Sequence, residues 1–174
     1  MLNPKLEKLM NEQIRNELYS AYLYMAFSAW LAKLGLNGYA HWFRIQAQEE
    51  TDHAMIFMYY IIATDGRVHF LPIDEPPFEY ESTAALLQMN LDHEKIVTGL
   101  IYNIATAAQE EKDYKTVEML KWLISEQVEE ENNATNNIQR YALFGSDGKG
   151  LYMLDTEMNA RVYVQAAPLA GQVI

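Results

Sequence analysis

Apolar residues recur at helical spacing from the first residues onward. Leu6, Leu9, Met10, Ile14, Leu18, Ala21, Met25 and Leu31 mark one face of a helix reaching Lys33, after which Gly35 and Gly38 break the pattern. Asn3-Pro4 opens it: a capping side chain, then a proline at the first helical position, where the missing N–H costs nothing. Trp42, Phe43, Ile45, Phe57 and Ile61 mark a second helix, from about Tyr39 to Thr64, which Asp65-Gly66 ends. Ser82 caps a third, from about Thr83 to Glu111, and a fourth runs from about Asp113 to Phe144. Residues 65–82 differ, because Gly66, Pro72, Pro76 and Pro77 forbid a helix. Fully extended, that stretch would span about 60 Å, which predicts a crossover travelling the length of a bundle. Beyond the glycine-rich run 145–150, Leu151, Leu154, Met158 and Val162 predict a short amphipathic fifth helix. The expected architecture is all-α: a four-helix bundle, a long crossover between the second and third helices, and a short C-terminal helix. One domain is expected over 1–167, with a loose tail over 168–174 that contains Pro168 and Gly171.

Polar residues interrupt the apolar faces at mid-helix. Residues seven apart lie nearly on one line. Glu17 falls between Met10 and Tyr24, Glu50 between Phe43 and Phe57, and Glu94 between Leu87 and Ile101. On the fourth helix Gln127 and Glu130 lie on adjacent lines. The steps from Glu17 to Glu50 and from Glu94 to Gln127 are both 33 residues, about what it takes to climb one helix and return to the same height on the next. Glu50-x-x-His53 puts both side chains on one face. Four ionised glutamates cannot stay dry and close together without cations. Arg15, Arg44 and Lys121 lie on other lines, so two divalent metal ions are the expected partners.

Composition narrows the chemistry. The 174 residues contain no cysteine, which excludes disulfides, thiolate zinc sites and iron–sulfur clusters and suits a reducing compartment. A net charge of −11 disfavours nucleic acid and anionic membranes and favours cations. No run reaches the roughly 18 apolar residues of a membrane span, and Met1-Leu2-Asn3-Pro4-Lys5 lacks the apolar core of a signal peptide. A cytoplasmic location is therefore expected. Twelve tyrosines point to extensive subunit contacts. His41, His69 and His93 read as surface or edge residues.

With these residues in place, the chain resembles the ferritins, specifically the non-haem bacterial ferritins, over essentially its whole length. The resemblance implies that Glu17, Glu50 and His53 bind a first iron and that Glu50, Glu94 and Glu130 bind a second, with Glu50 bridging. Gln127 takes the place of a second ligand pair's glutamate. Glu49, Glu126, Glu129 and Glu130 match a third, more labile iron site, while Tyr24 and Trp122 resemble aromatic residues near the di-iron centre. Thr51 stands where a bacterioferritin carries its haem-ligating methionine, so no haem is expected. Val117 and Leu120 stand where vertebrate-type ferritins carry the acids that line a three-fold iron channel, so that route is not expected here.

The implied activity is iron storage: ferroxidase oxidation of iron(II) by dioxygen or hydrogen peroxide, with mineral deposited inside a shell of 24 copies. A di-iron oxidase or peroxidase of the rubrerythrin type, which uses iron catalytically and stores none, is the alternative, against which stands the absence of its cysteine-ligated iron module. A purely structural acidic bundle is a third reading. Glu131 reads as part of a solvated face.

Overall fold

A computed structural model of the chain describes residues 2–171. Four long helices, α1 (Pro4–Lys33), α2 (Asn37–Ala63), α3 (Thr83–Glu110) and α4 (Tyr114–Phe144), precede the short α5 (Gly148–Met158) and a 3-10 turn at Ala167–Leu169. Three of the long helices start where a side chain takes up an orphan backbone N–H. Asn3 accepts from the Lys5 N–H at 2.8 Å, Ser82 from Ala85 at 3.1 Å, and Asp113 from Thr116 at 3.3 Å.

The start of α2 departs from the sequence expectation. Gly38 lies inside the helix instead of breaking it. Leu36 supplies no side-chain cap, and the Asp155 carboxylate of α5 accepts the Tyr39 N–H at 3.0 Å in its place. A Cβ at Gly38 would sit 1.6 Å from the Asp155 carbonyl oxygen, so the glycine is there to admit α5. Gly35, at φ +81°, does act as the expected terminator of α1.

The helices pair as α1 with α2 and α3 with α4. The start of α1 meets the end of α3, through Lys5–Glu110 at 3.0 Å and Asn3–Glu111 at 2.9 Å. Since α1 is antiparallel to both neighbours, α2 and α3 run parallel, and their connection must traverse the bundle. It is fastened beside the first turns of α1, where Glu7 accepts the Arg67 N–H at 2.9 Å and Asn11 bonds Arg67 and His69 at 3.0 and 2.6 Å. At the far end Tyr80 packs edge-on against Phe27 and Trp30.

The core is divided in two. Met10, Ile14, Ala54, Phe57, Val97, Ile101, Leu120 and Leu123 belong to one cluster. Ala21, Phe27, Phe43, Ala47, Leu86 and Leu87 belong to the other, which also takes Leu154 and Met158 of α5. On each long helix the break between clusters falls at the glutamates singled out above, so the polar residues form one layer across the bundle.

After α5 the chain runs along α2 as an extended strap. Val162 is outside the helix and 76% exposed, so it is not part of the buried stripe. Asp52 on α2 accepts the Tyr163 O–H and the Ala166 N–H, each at 2.8 Å. Leu169 is buried in the core cluster nearer the start of α1, so the chain is anchored through this residue instead of loosening after Ala167. Residues 172–174 of the expected tail lie outside the described residues. No helix among the described residues is long and apolar enough to cross a membrane.

Candidate metal centre

Glu17 reaches the polar layer from α1, Glu50 and His53 from α2, Glu94 from α3, and Gln127 and Glu130 from α4, and all six are buried. One ligand atom from each of Glu17, Glu50 and His53 falls within 4.8 Å of the others, the one such trio among the described residues. His53 Nδ1 lies 3.3 Å from Glu50 Oε2. Glu94 and Glu130 complete the layer from the other hairpin and are coupled to Glu50 by charge.

Amides and one phenol hold three of these acids. Gln13 donates to Glu17 Oε1 at 2.9 Å and Gln46 to Glu130 Oε2 at 2.8 Å. Gln127 Nε2 is shared among the Glu94 carbonyl, the Glu94 carboxyl and the Thr98 hydroxyl at 3.2–3.3 Å. The Tyr24 hydroxyl donates to Glu94 Oε1. The Trp122 ring meets His53 edge-on, with centroids 5.7 Å apart. Among the described residues no Lys or Arg forms an ion pair with Glu17, Glu50, Glu94 or Glu130.

The consequence is electrostatic frustration. Burial, then the Glu50 charge, pushes the Glu17 carboxyl up to about 8. Burial also raises Glu50 and Glu130 well above the carboxylate range, and the Glu94 charge adds to both. Glu94 is raised by burial too, against the bonds from Tyr24 and Gln127. Glu17 Oε2 and Gln46 Oε1 are buried without a hydrogen-bond partner. A buried oxygen left idle beside a second carboxyl and an imidazole fits a cation. Carboxylate and imidazole donors suit a borderline divalent ion such as iron(II).

The other expected residues lie at the rim. Glu49 and Glu126 are half-buried and Glu129 is exposed. The structure does not draw these three into a tight group with Glu130 among the described residues, and Glu49 is held by Arg161 at 2.6 Å. Glu131 accepts the Thr98 O–H at 2.7 Å. His93 is half-buried, bonded to Ser20 at 2.8 Å, and lowered to about 4 by burial. His41 bonds the Arg161 carbonyl at 2.8 Å, and His69 is exposed. Sequence reasoning missed Gln13 and Gln46 as parts of the layer and Arg161 at its rim. The amides had a signal, since Gln13 and Gln46 are also 33 residues apart, each four before a glutamate of the layer.

Fold and site together define a helical bundle with a buried carboxylate layer that could hold metal ions. The ferritin-like domain family matches residues 7–144. The bacterial non-heme ferritin of Escherichia coli O157:H7 is 36% identical over 91% of this chain and 96% of its own. That of Staphylococcus aureus is 32% identical over 94% and 98%. Among solved structures, an open-pore ferritin from the hyperthermophilic archaeon Archaeoglobus fulgidus superposes with a TM-score of 0.92 at 36% identity, covering 93% of this chain and all of that one. The chain belongs to the ferritin family.

Proposed function

We propose that this protein stores iron, oxidising iron(II) with dioxygen at a dinuclear centre and depositing iron(III) mineral inside a shell of 24 copies. The observation that carries the reading is the layer of four buried glutamates with no Lys or Arg paired to them, in a ferritin-family bundle. Iron is the substrate. Glu17, Glu50 and His53 take one iron(II), and Glu50, Glu94 and Glu130 take the other. Protons held by the buried carboxyls leave as the ions enter. Gln13, Gln46 and Tyr24 keep their carboxyl partners aimed.

Each iron(II) then loses one electron, and dioxygen, gaining two electrons and two protons, leaves as hydrogen peroxide. Iron(III) carries more charge and is hydrolysed, which favours its release toward mineral. Glu49, Glu126, Glu129 and Glu130 form the third, weaker position. Exposed apolar side chains such as Met25 (49%), Phe70 (63%) and Phe78 (75%) support burial between copies.

Glu50→Ala tests the centre, because Glu50 serves both ions. Stopped-flow absorbance under oxygen should show the initial rate falling by more than about 100-fold. The assembled apoprotein should persist, since the change removes a costly buried acid. Oxidation at the unaltered rate would overturn the assignment.

A further inference from the structure

The strap after α5 crosses the level of the polar layer. It starts beside the α5 end of the bundle and finishes with Leu169 in the opposite core cluster. Its backbone is fixed at two heights, one near the start of α2 and one level with the layer, where Asp52 sits between Glu50 and His53. The His41 Nε2–H donates to the Arg161 carbonyl at 2.8 Å, and Asp52 holds Tyr163 and Ala166. Arg161 is therefore delivered to the rim of the centre on a fixed base.

The guanidinium is not used up by what it touches. Nη2 donates to Glu49 Oε2 at 2.6 Å, but Nη1 is buried with no partner. A guanidinium optimised as a structural clamp grips a carboxylate with two parallel bonds. Here the grip is single. The carbon of the guanidinium lies 4.4 Å from the Trp42 ring centroid, and that face can hold the cation without Glu49. The Arg161 and Glu49 side chains are 20% and 18% exposed, so solvent screens the pair only partly. The adjoining groove of about 490 Å³, lined by Trp42, Glu129, Asn137, Glu157 and Arg161, gives the side chain room to move.

We propose that Arg161 competes with iron(II) for Glu49, so that the third ion binds only by displacing the guanidinium. The inference rests on the third position proposed above and adds its regulation. The guanidinium stays charged at any working pH, so it opposes a cation at Glu49 throughout. Iron at this position meets a rival that is part of the chain, and the rival returns when iron leaves. The third ion is thereby kept weak and releasable, while the first two, ligated by acids with no Lys or Arg partner, are untouched.

Anaerobic iron(II) titration calorimetry on the assembled apoprotein tests this with Arg161→Gln, which keeps polarity and removes charge, and Arg161→Lys, which keeps charge. Arg161→Gln should bind the third ion at least about tenfold more tightly. Arg161→Lys should stay near the unaltered protein, and the first two ions should be unchanged in all three. A third ion that is absent, equally weak or weaker in Arg161→Gln would overturn the proposal. A lowered melting temperature with unchanged third-ion affinity would likewise reduce the pair to a structural bridge. Absence of two tight ions in the unaltered protein would overturn the dinuclear reading itself, and the titration shows this before any variant is made. Should Arg161→Gln fail to assemble, iron(II)-soaked crystals of the unaltered protein decide the matter. A third ion at Glu49 with the guanidinium moved away supports the competition, and one with the guanidinium still bonded to Glu49 contradicts it.

Discussion

Glu17 carries a proton at neutral pH only because the fold withholds water from it and sets Glu50 beside it. Its folded value of about 8 lies above the ordinary 4.5, so the folded apoprotein keeps a proton that the unfolded chain has released across that window. The contribution of Glu17 to stability is therefore full at or below the lower value and drains away as pH rises toward the upper one, by an amount on the order of a few kcal/mol. Scanning calorimetry of the apoprotein should show the melting temperature falling from about pH 5 to about pH 8. Glu17→Gln should flatten that slope without abolishing it, because Glu50 and Glu130 are raised in the same direction. A slope equal to that of the unaltered protein would mean Glu17 ionises freely in the fold. Binding of a divalent ion without oxygen should restore stability near pH 8 and release protons.

At the scale of elements, the periodicity of Leu6, Met10, Ile14 and their counterparts was enough to find four long helices, because a bundle helix buries one stripe and leaves the rest wet. The prolines from Pro72 to Pro77 were enough to find the crossover. Two of the misreadings share a cause. Gly38 was read locally, as a helix breaker, when its role is the close approach of Asp155 from over a hundred residues away. Val162 was read as continuing a helical stripe, when Asp52 captures Tyr163 and Ala166 and draws the segment out straight. Long-range hydrogen bonds decide both, and no local pattern carries them. Gly38→Ala should push α5 off α2, costing about 1–3 kcal/mol and lowering the melting temperature by several degrees. Iron(II) oxidation should stay nearly unchanged, since the polar layer is more than two turns away along α2. An unaltered melting curve would mean α5 does not dock as described.

At the scale of the molecule, the polar layer was legible because one spacing, 33 residues, recurs in both hairpins. Glu17, Glu50, Glu94 and Gln127 emerged from it, His53 and Glu130 from the three-residue step beyond Glu50 and Gln127, and each is buried where the two core clusters part. The rim was legible only in part. Glu49, Glu126 and Glu129 were singled out by the family resemblance and not by periodicity, and the cation that meets Glu49 comes from a strap with no helical period. The central claim is that the buried layer holds two iron ions around Glu50. Anomalous diffraction at the iron edge, from crystals soaked in iron(II) without oxygen, tests it most directly. Two peaks about 3.5–4 Å apart are expected, one beside Glu17 and His53 and the other beside Glu94 and Glu130, with the Glu50 carboxylate reaching both. A single peak, or iron found only at exposed acids with the layer empty of it, would contradict the account.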